Sequence, residues 1–98
     1  MLSLHKLQLT GPAGAVKISV TEANLLQAFA LAPGARLGFL QVAECMGLEF
    51  AQDQKTNMQV RIVRLRKKMH DAGAHGAVIE SIRNFGYQLF EAVEVHKA

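Results

Sequence analysis

The sequence predicts an α+β fold: a small N-terminal antiparallel sheet, three helices and a C-terminal β-hairpin. Three observations carry this reading. Apolar and polar residues alternate with period two near both ends of the chain, helix-period apolar stripes occupy the middle, and the last of those stripes lies on a strongly basic segment.

At 98 residues the chain is one domain with a single modest core. Half of it is hydrophobic, yet no run is long or unbroken enough to span a membrane. Ser3, His5, Lys6 and Gln8 interrupt the N-terminus, which therefore lacks the apolar centre of a signal peptide. The expectation is a soluble cytoplasmic protein with no membrane partner.

Residues 2–18 read as a short sheet. Leu2 and Leu4 alternate with polar residues, as do Leu7 and Leu9, giving two half-buried strands. Thr10 to Gly14 is a turn by composition, and Ala15 to Ile18 gives a third strand. A helix over about 19–31 follows. Ser19 and Glu22 have the spacing of a capping box, and Leu25, Leu26 and Phe29 form its buried face before Pro33-Gly34 stops it. Ala35 to Gly38 reads as a turn. The next helix, 39–46, places Phe39, Val42, Ala43 and Met46 inward and ends at Gly47, but Gly38 is a poor N-cap. A loop follows, with Leu48 and Phe50 as anchors into the core.

The third helix, 55–70, starts from Asp53 or Thr56 as cap. It carries Lys55, Arg61, Arg64, Arg66, Lys67 and Lys68, which is six of the 11 cations, and no acid; elsewhere five cations face eight acids. Met58, Ile62, Leu65 and Met69 fall on one narrow arc at 3.6 residues per turn, so this face is buried. Asn57, Val60, Arg61, Arg64, Lys67 and Lys68 look outward. An ordinary solvated face mixes signs and this one does not, which points to a polyanion. A polar, glycine-rich turn from Asp71 to Gly76 ends the helix. The segment 78–90 then forms a hairpin, strands 79–83 and 87–90 joined at Asn84-Phe85-Gly86, and the tail from Glu91 reads as frayed.

Composition excludes several functions. The lone Cys45 lies in an apolar helical pattern as a buried thiol, and His5, His70, His75 and His96 complete no metal site. No phosphate-binding glycine loop or nucleophile–base pair is present, so no enzyme and no cofactor is expected. Two helices, the second basic, followed by a hairpin describe a winged helix-turn-helix: the basic helix enters the major groove of double-stranded DNA and the hairpin lies along the flanking groove.

Four motifs resemble one family. Ile18 to Leu26 is similar to L-T-x-x-E-x-x-L-L, and Pro33-Gly34 to the P-G before a second helix. Met58 to Met69 looks like V-D-V-H-I-x-R-L-R-x-K-L, and Ile79 to Tyr87 like I-x-T-V-R-G-x-G-Y. In this order and spacing they resemble the C-terminal effector domain of OmpR/PhoB-type response regulators of bacterial two-component systems. The resemblance implies a phosphorylation-controlled transcription regulator that binds direct repeats as a tandem dimer. It implies base contacts at Arg64 and Val60, and backbone contacts at Asn57, Arg61, Val63, Arg66, Lys67 and Lys68. Wing contacts fall to Ser81 and Arg83, and the loop of Leu48, Glu49, Phe50, Gln52 and Asp53 faces RNA polymerase. It also implies a receiver domain and a sensor kinase as partners; the receiver is not in this chain, so the isolated domain should dimerise weakly or not at all.

The chain departs from the family at Gln59 (for Asp), Arg61 (for His), Thr56 (for Arg), Val63 (for a polar residue), Asn84 (for Gly) and Gly38-Phe39 (for Ser-Arg). From the residues alone, Arg64 reads as a base or a phosphate contact, Val60 as a thymine-methyl contact or loop-covered, and Arg66 as a phosphate contact or the partner of Glu22 or Glu44. A winged-helix module for protein contact, and a stand-alone regulator without phosphorylation control, are the alternative functions; RNA binding lacks an exposed aromatic platform.

Overall fold

The computed structural model describes residues 1–48 and 54–96. In chain order the elements are β1 (Leu2–His5), β2 (Gln8–Gly11), β3 (Gly14–Lys17), α1 (Val20–Leu31), a 3-10 turn (Pro33–Ala35), β4 (Arg36–Gly38), α2 (Phe39–Met46), α3 (Gln54–Asp71), β5 (Ile79–Ile82), β6 (Gly86–Leu89) and β7 (Val93–His96). The α+β winged helix-turn-helix expected from the sequence is the fold observed.

The N-terminal sheet has four strands in the order β3-β2-β1-β7 rather than three. The segment expected to fray instead pairs in parallel with β1, Leu2 opposite Val93 and His5 opposite His96, and covers the edge that β1 would otherwise expose. Val93 and Val95 are half-buried and turn the same way, against the core. Two further expectations shift. Leu7 does not share the buried face with Leu9, because it falls in the tight turn after Lys6 (φ 54°) and is 45% exposed. The turn between β2 and β3 is only Pro12-Ala13, since Gly11 and Gly14 pair across it.

The helices start for local reasons. At α1, the Ser19 hydroxyl accepts the Glu22 N–H at 3.1 Å and Glu22 Oε1 accepts the Ser19 N–H at 2.9 Å, a complete capping box. At α2, Gly38 has no side chain to cap with. Gln41 Oε1 accepts the Gly38 N–H at 2.8 Å, and the Phe85 carbonyl accepts the Phe39 N–H at 3.0 Å, so the second helix is capped partly by the wing. Gly47, at φ 70°, ends α2 in the left-handed region. Thr56 lies inside α3 and cannot be its N-cap; Asp53 and Phe50 lie outside the described residues.

One core holds the molecule together. Leu25, Leu26 and Phe29 of α1 meet Val42 and Met46 of α2, and all four stripe residues of α3 are buried. Arg36–Gly38, expected as a turn, is an edge strand. Leu37 is buried and β4 pairs antiparallel with β6, which completes a second sheet ordered β4-β6-β5. The far end of α3 is fixed to the first sheet, where the Ala72 carbonyl accepts the Ala13 N–H at 3.0 Å. Gly73 (φ 114°) permits this approach, since a Cβ there would lie 2.6 Å from the Ala13 nitrogen.

Candidate nucleic-acid interface

With its stripe buried, α3 has three remaining exposures. Its outermost side carries Thr56, Val60, Val63, Arg64 and Lys67, all exposed. On the α1 side, Arg61, Arg64 and Lys68 share a cleft with Ser19, Thr21 and Glu22. On the wing side, Gln59, Val63 and Arg66 face Ser81 and Tyr87, and nearer the helix start Lys55 and Gln59 face Ser81, Arg83 and Asn84. The structure thus brings the helix residues and the wing residues named from the sequence onto one continuous side of the molecule. Lys55 joins them at the wing groove; its charge was visible in the sequence, but its place opposite Arg83 depends on the hairpin folding back.

Several cations are already engaged. Lys68 Nζ lies 2.6 Å from Glu22 Oε1, with Glu22 10% and Lys68 35% exposed. Arg66 therefore pairs with neither Glu22 nor Glu44: its Nε donates to the Ile79 carbonyl at 2.7 Å and ties α3 to the first strand of the wing. Lys67 sits 3.5 Å from Asp71 one turn on, a solvent-exposed pair that holds it weakly. Arg61, Arg64 and Arg83 make no ion pair among the described residues, and Asn57 is exposed on the first half of the helix. Leu48 is buried, and its carbonyl accepts from Gln54 Nε2 at 2.6 Å across the loop. Glu49, Phe50, Gln52 and Asp53, the rest of the surface expected to face polymerase, lie outside the described residues.

The Glu22 carboxylate fixes α3 against α1 and is tuned to stay ionised. Burial pushes its pKa up, but the Lys68 hydrogen bond, the Ser19 N–H, the Lys68 charge and the Ser19 hydroxyl together hold it below the ordinary 4.5. A lowered folded-state pKa contributes stability that is complete above 4.5 and is lost as pH falls through the lowered value. Thermal melts of the protein and of Lys68→Met should separate this pair from the other acids. The variant is expected to melt lower at neutral pH and to lose less of its melting temperature as pH falls below 4.5, because the Lys68 contribution that acid would remove is already gone. Parallel curves for the two proteins would mean the pair contributes nothing.

Two other groups are shifted. Burial, opposed by the Arg66 charge, pushes Tyr87 above its ordinary value, consistent with a ring packed edge-to-face on Phe39 at 6.0 Å. Burial and the Glu44 charge raise the half-buried Cys45 thiol, which disfavours the reactive thiolate. Among the described residues no three His, Cys, Asp or Glu side chains converge as metal ligands, and no helix is long and apolar enough to cross a membrane.

Comparison with known proteins agrees with this geometry. Residues 13–89 match the family described as "Transcriptional regulatory protein, C terminal". Among solved structures, the chain is similar to the C-terminal domain of the nisin resistance regulator NsrR, a lantibiotic response regulator. The two are 27% identical with a TM-score of 0.67, over 90% of this chain and 89% of that one. No curated protein sequence matches the chain. The family match spans most of the fold, from the β2–β3 turn through the wing, and includes α3 and every wing residue named above. The chain therefore belongs to the family of C-terminal domains of transcriptional regulatory proteins, the DNA-binding winged-helix output domains of response regulators.

Proposed function

We propose that this domain reads a specific DNA sequence by laying the outer side of α3 in the major groove, with the β5–β6 hairpin against the neighbouring backbone. The observation that carries this reading is the outward side of α3, where cations flank an apolar centre and no acid intervenes before Asp71. Arg64 is the base-reading cation, placed for bidentate contact with guanine O6 and N7, and Val60 meets a thymine methyl. Asn57, Arg61 and Lys67 face phosphates along the groove walls, and Ser81, Arg83 and Lys55 face them at the wing. Arg66 and Lys68, bonded to the wing and to α1, hold the helix at a fixed angle while adding charge beside the backbone.

The domain acts in the cytoplasm, where its duplex lies. It works as the output half of a regulator whose receiver domain is phosphorylated by a sensor kinase. Two copies sit in tandem on direct repeats, and the loop over 48–53 is offered to RNA polymerase. Alone, the domain is a weak dimer or a monomer. The NsrR likeness supports the receiver partnership, since that protein is itself a response regulator.

Salt titration tests the reading. Each phosphate neutralised contributes about −0.9 to the slope of log K against log salt, so four to six contacts predict a slope of roughly −4 to −5. A slope near zero on duplexes selected from a random pool would instead favour a module for protein contact.

A further inference from the structure

Val60 and Val63 are the two large hydrophobic side chains that α3 exposes, at 43% and 58%. They stand three residues apart on the outermost side of the helix, beside Thr56, Arg64 and Lys67. The wing does not account for Val63: it borders the groove with Tyr87 and Ser81, but more than half of its surface stays open. Phosphate does not account for it either, because its side chain has no donor and no charge, and its backbone N–H is committed within the helix. An apolar pair at the centre of a cationic surface needs an apolar counterpart on the polyanion. In the major groove the one such group is the thymine C5-methyl.

We infer that Val63 adds a second methyl-reading contact beside Val60, so that the preferred half-site carries thymines on two adjacent base pairs next to the base read by Arg64. Spacing supports the pairing. Three residues advance about 4.5 Å along a helix, close to the roughly 3.4 Å between stacked bases. The two valines therefore address neighbouring steps rather than one. This inference rests on α3 lying in the major groove. It adds the class of sequence recognised, thymine-rich at two positions, and assigns to Val63 a role in specificity.

The test uses a half-site selected from random duplexes, with each thymine then replaced by deoxyuridine, which removes only the methyl. Each replacement at the two positions is expected to weaken binding about fourfold, the worth of one buried methyl-sized group. With Val63→Ser, the penalty at one position should vanish while the other persists; Val60→Ser should give the reciprocal result. Both side chains are exposed, so melting temperatures should stay unchanged, which separates lost reading from lost folding. A selected site without adjacent thymines overturns the inference, as does uracil at both positions leaving affinity unchanged. In either case a retained sequence preference that depends on Arg64 leaves the major-groove reading standing. If no sequence is selected at all, that reading fails, and this inference with it.

Discussion

Arg64→Ala is expected to lower affinity for the selected site by about 1–3 kcal/mol, the discrimination of one bidentate guanine contact, with little change in affinity for unrelated duplexes. Arg64 is exposed and has no ion pair among the described residues, so removing it leaves no buried group unsatisfied and should change stability by no more than about 0.5 kcal/mol. It also lies one turn beyond Val60 and lines the cleft toward α1 together with Arg61 and Lys68, which puts its charge on the outward side of the helix beside the apolar centre. Lys67→Ala is the control. It should weaken all sequences about equally and reduce the salt slope by about one unit, because a phosphate contact carries no sequence information. Equilibrium binding of both variants to the selected site and to a scrambled duplex gives the comparison. An Arg64→Ala protein with undiminished preference would remove Arg64 from base reading.

What the sequence revealed and what it hid follow from the range of the interactions. The α3 stripe and the Ser19–Glu22 capping box are local patterns, legible because a helix satisfies its own backbone within a few residues. The charge of α3 was equally plain. β4 was not: three residues, Arg36 to Gly38, become a strand only because β6 lies beside them, some fifty residues away. The alternation Val93-Glu94-Val95-His96 was present in the sequence, but its parallel pairing with β1 depends on the chain returning to its start. Of the residues named as outward from periodicity, Asn57, Val60, Arg64 and Lys67 are exposed, while Arg61 and Lys68 are half-buried in the cleft toward α1. Their internal partners were not all foreseen. Lys68 and Glu22 meet across 46 residues, and Arg66 donates to a backbone carbonyl, a contact that leaves no trace in side-chain pattern. The deeper coupling, α2 capped by the wing turn through Phe39 and Phe85, was likewise invisible until both sheets were assembled.

That coupling makes Gly86 the position where one substitution should do most damage. Its backbone is ordinary, so the requirement is space rather than φ. A Cβ at Gly86 would run into the Leu37 carbonyl oxygen and come within 2.8 Å of the Gly38 Cα and carbonyl carbon, all backbone atoms of β4 that no rotamer change can move. Gly86→Val must therefore push β4 away from β6. The loss comprises ladder hydrogen bonds at about 1 kcal/mol each and crowding at about 1–3 kcal/mol, so at least about 3 kcal/mol in total is expected. For a domain of this size, that lowers the melting temperature by roughly 12 °C or more. Function should suffer in a particular way. With β4 displaced, the Phe39–Phe85 hydrogen bond is lost, and Arg83 and Asn84 no longer stand opposite Lys55 across the wing groove. In the fraction that remains folded, the salt slope should drop by about one phosphate while the Arg64-dependent base preference survives, since α3 is held by its own stripe and by Lys68. Melting curves together with salt titrations below the transition would show both effects. An unchanged melting temperature would mean that β4 and β6 are not packed as described, and an unchanged slope would mean that the wing carries no phosphate contact.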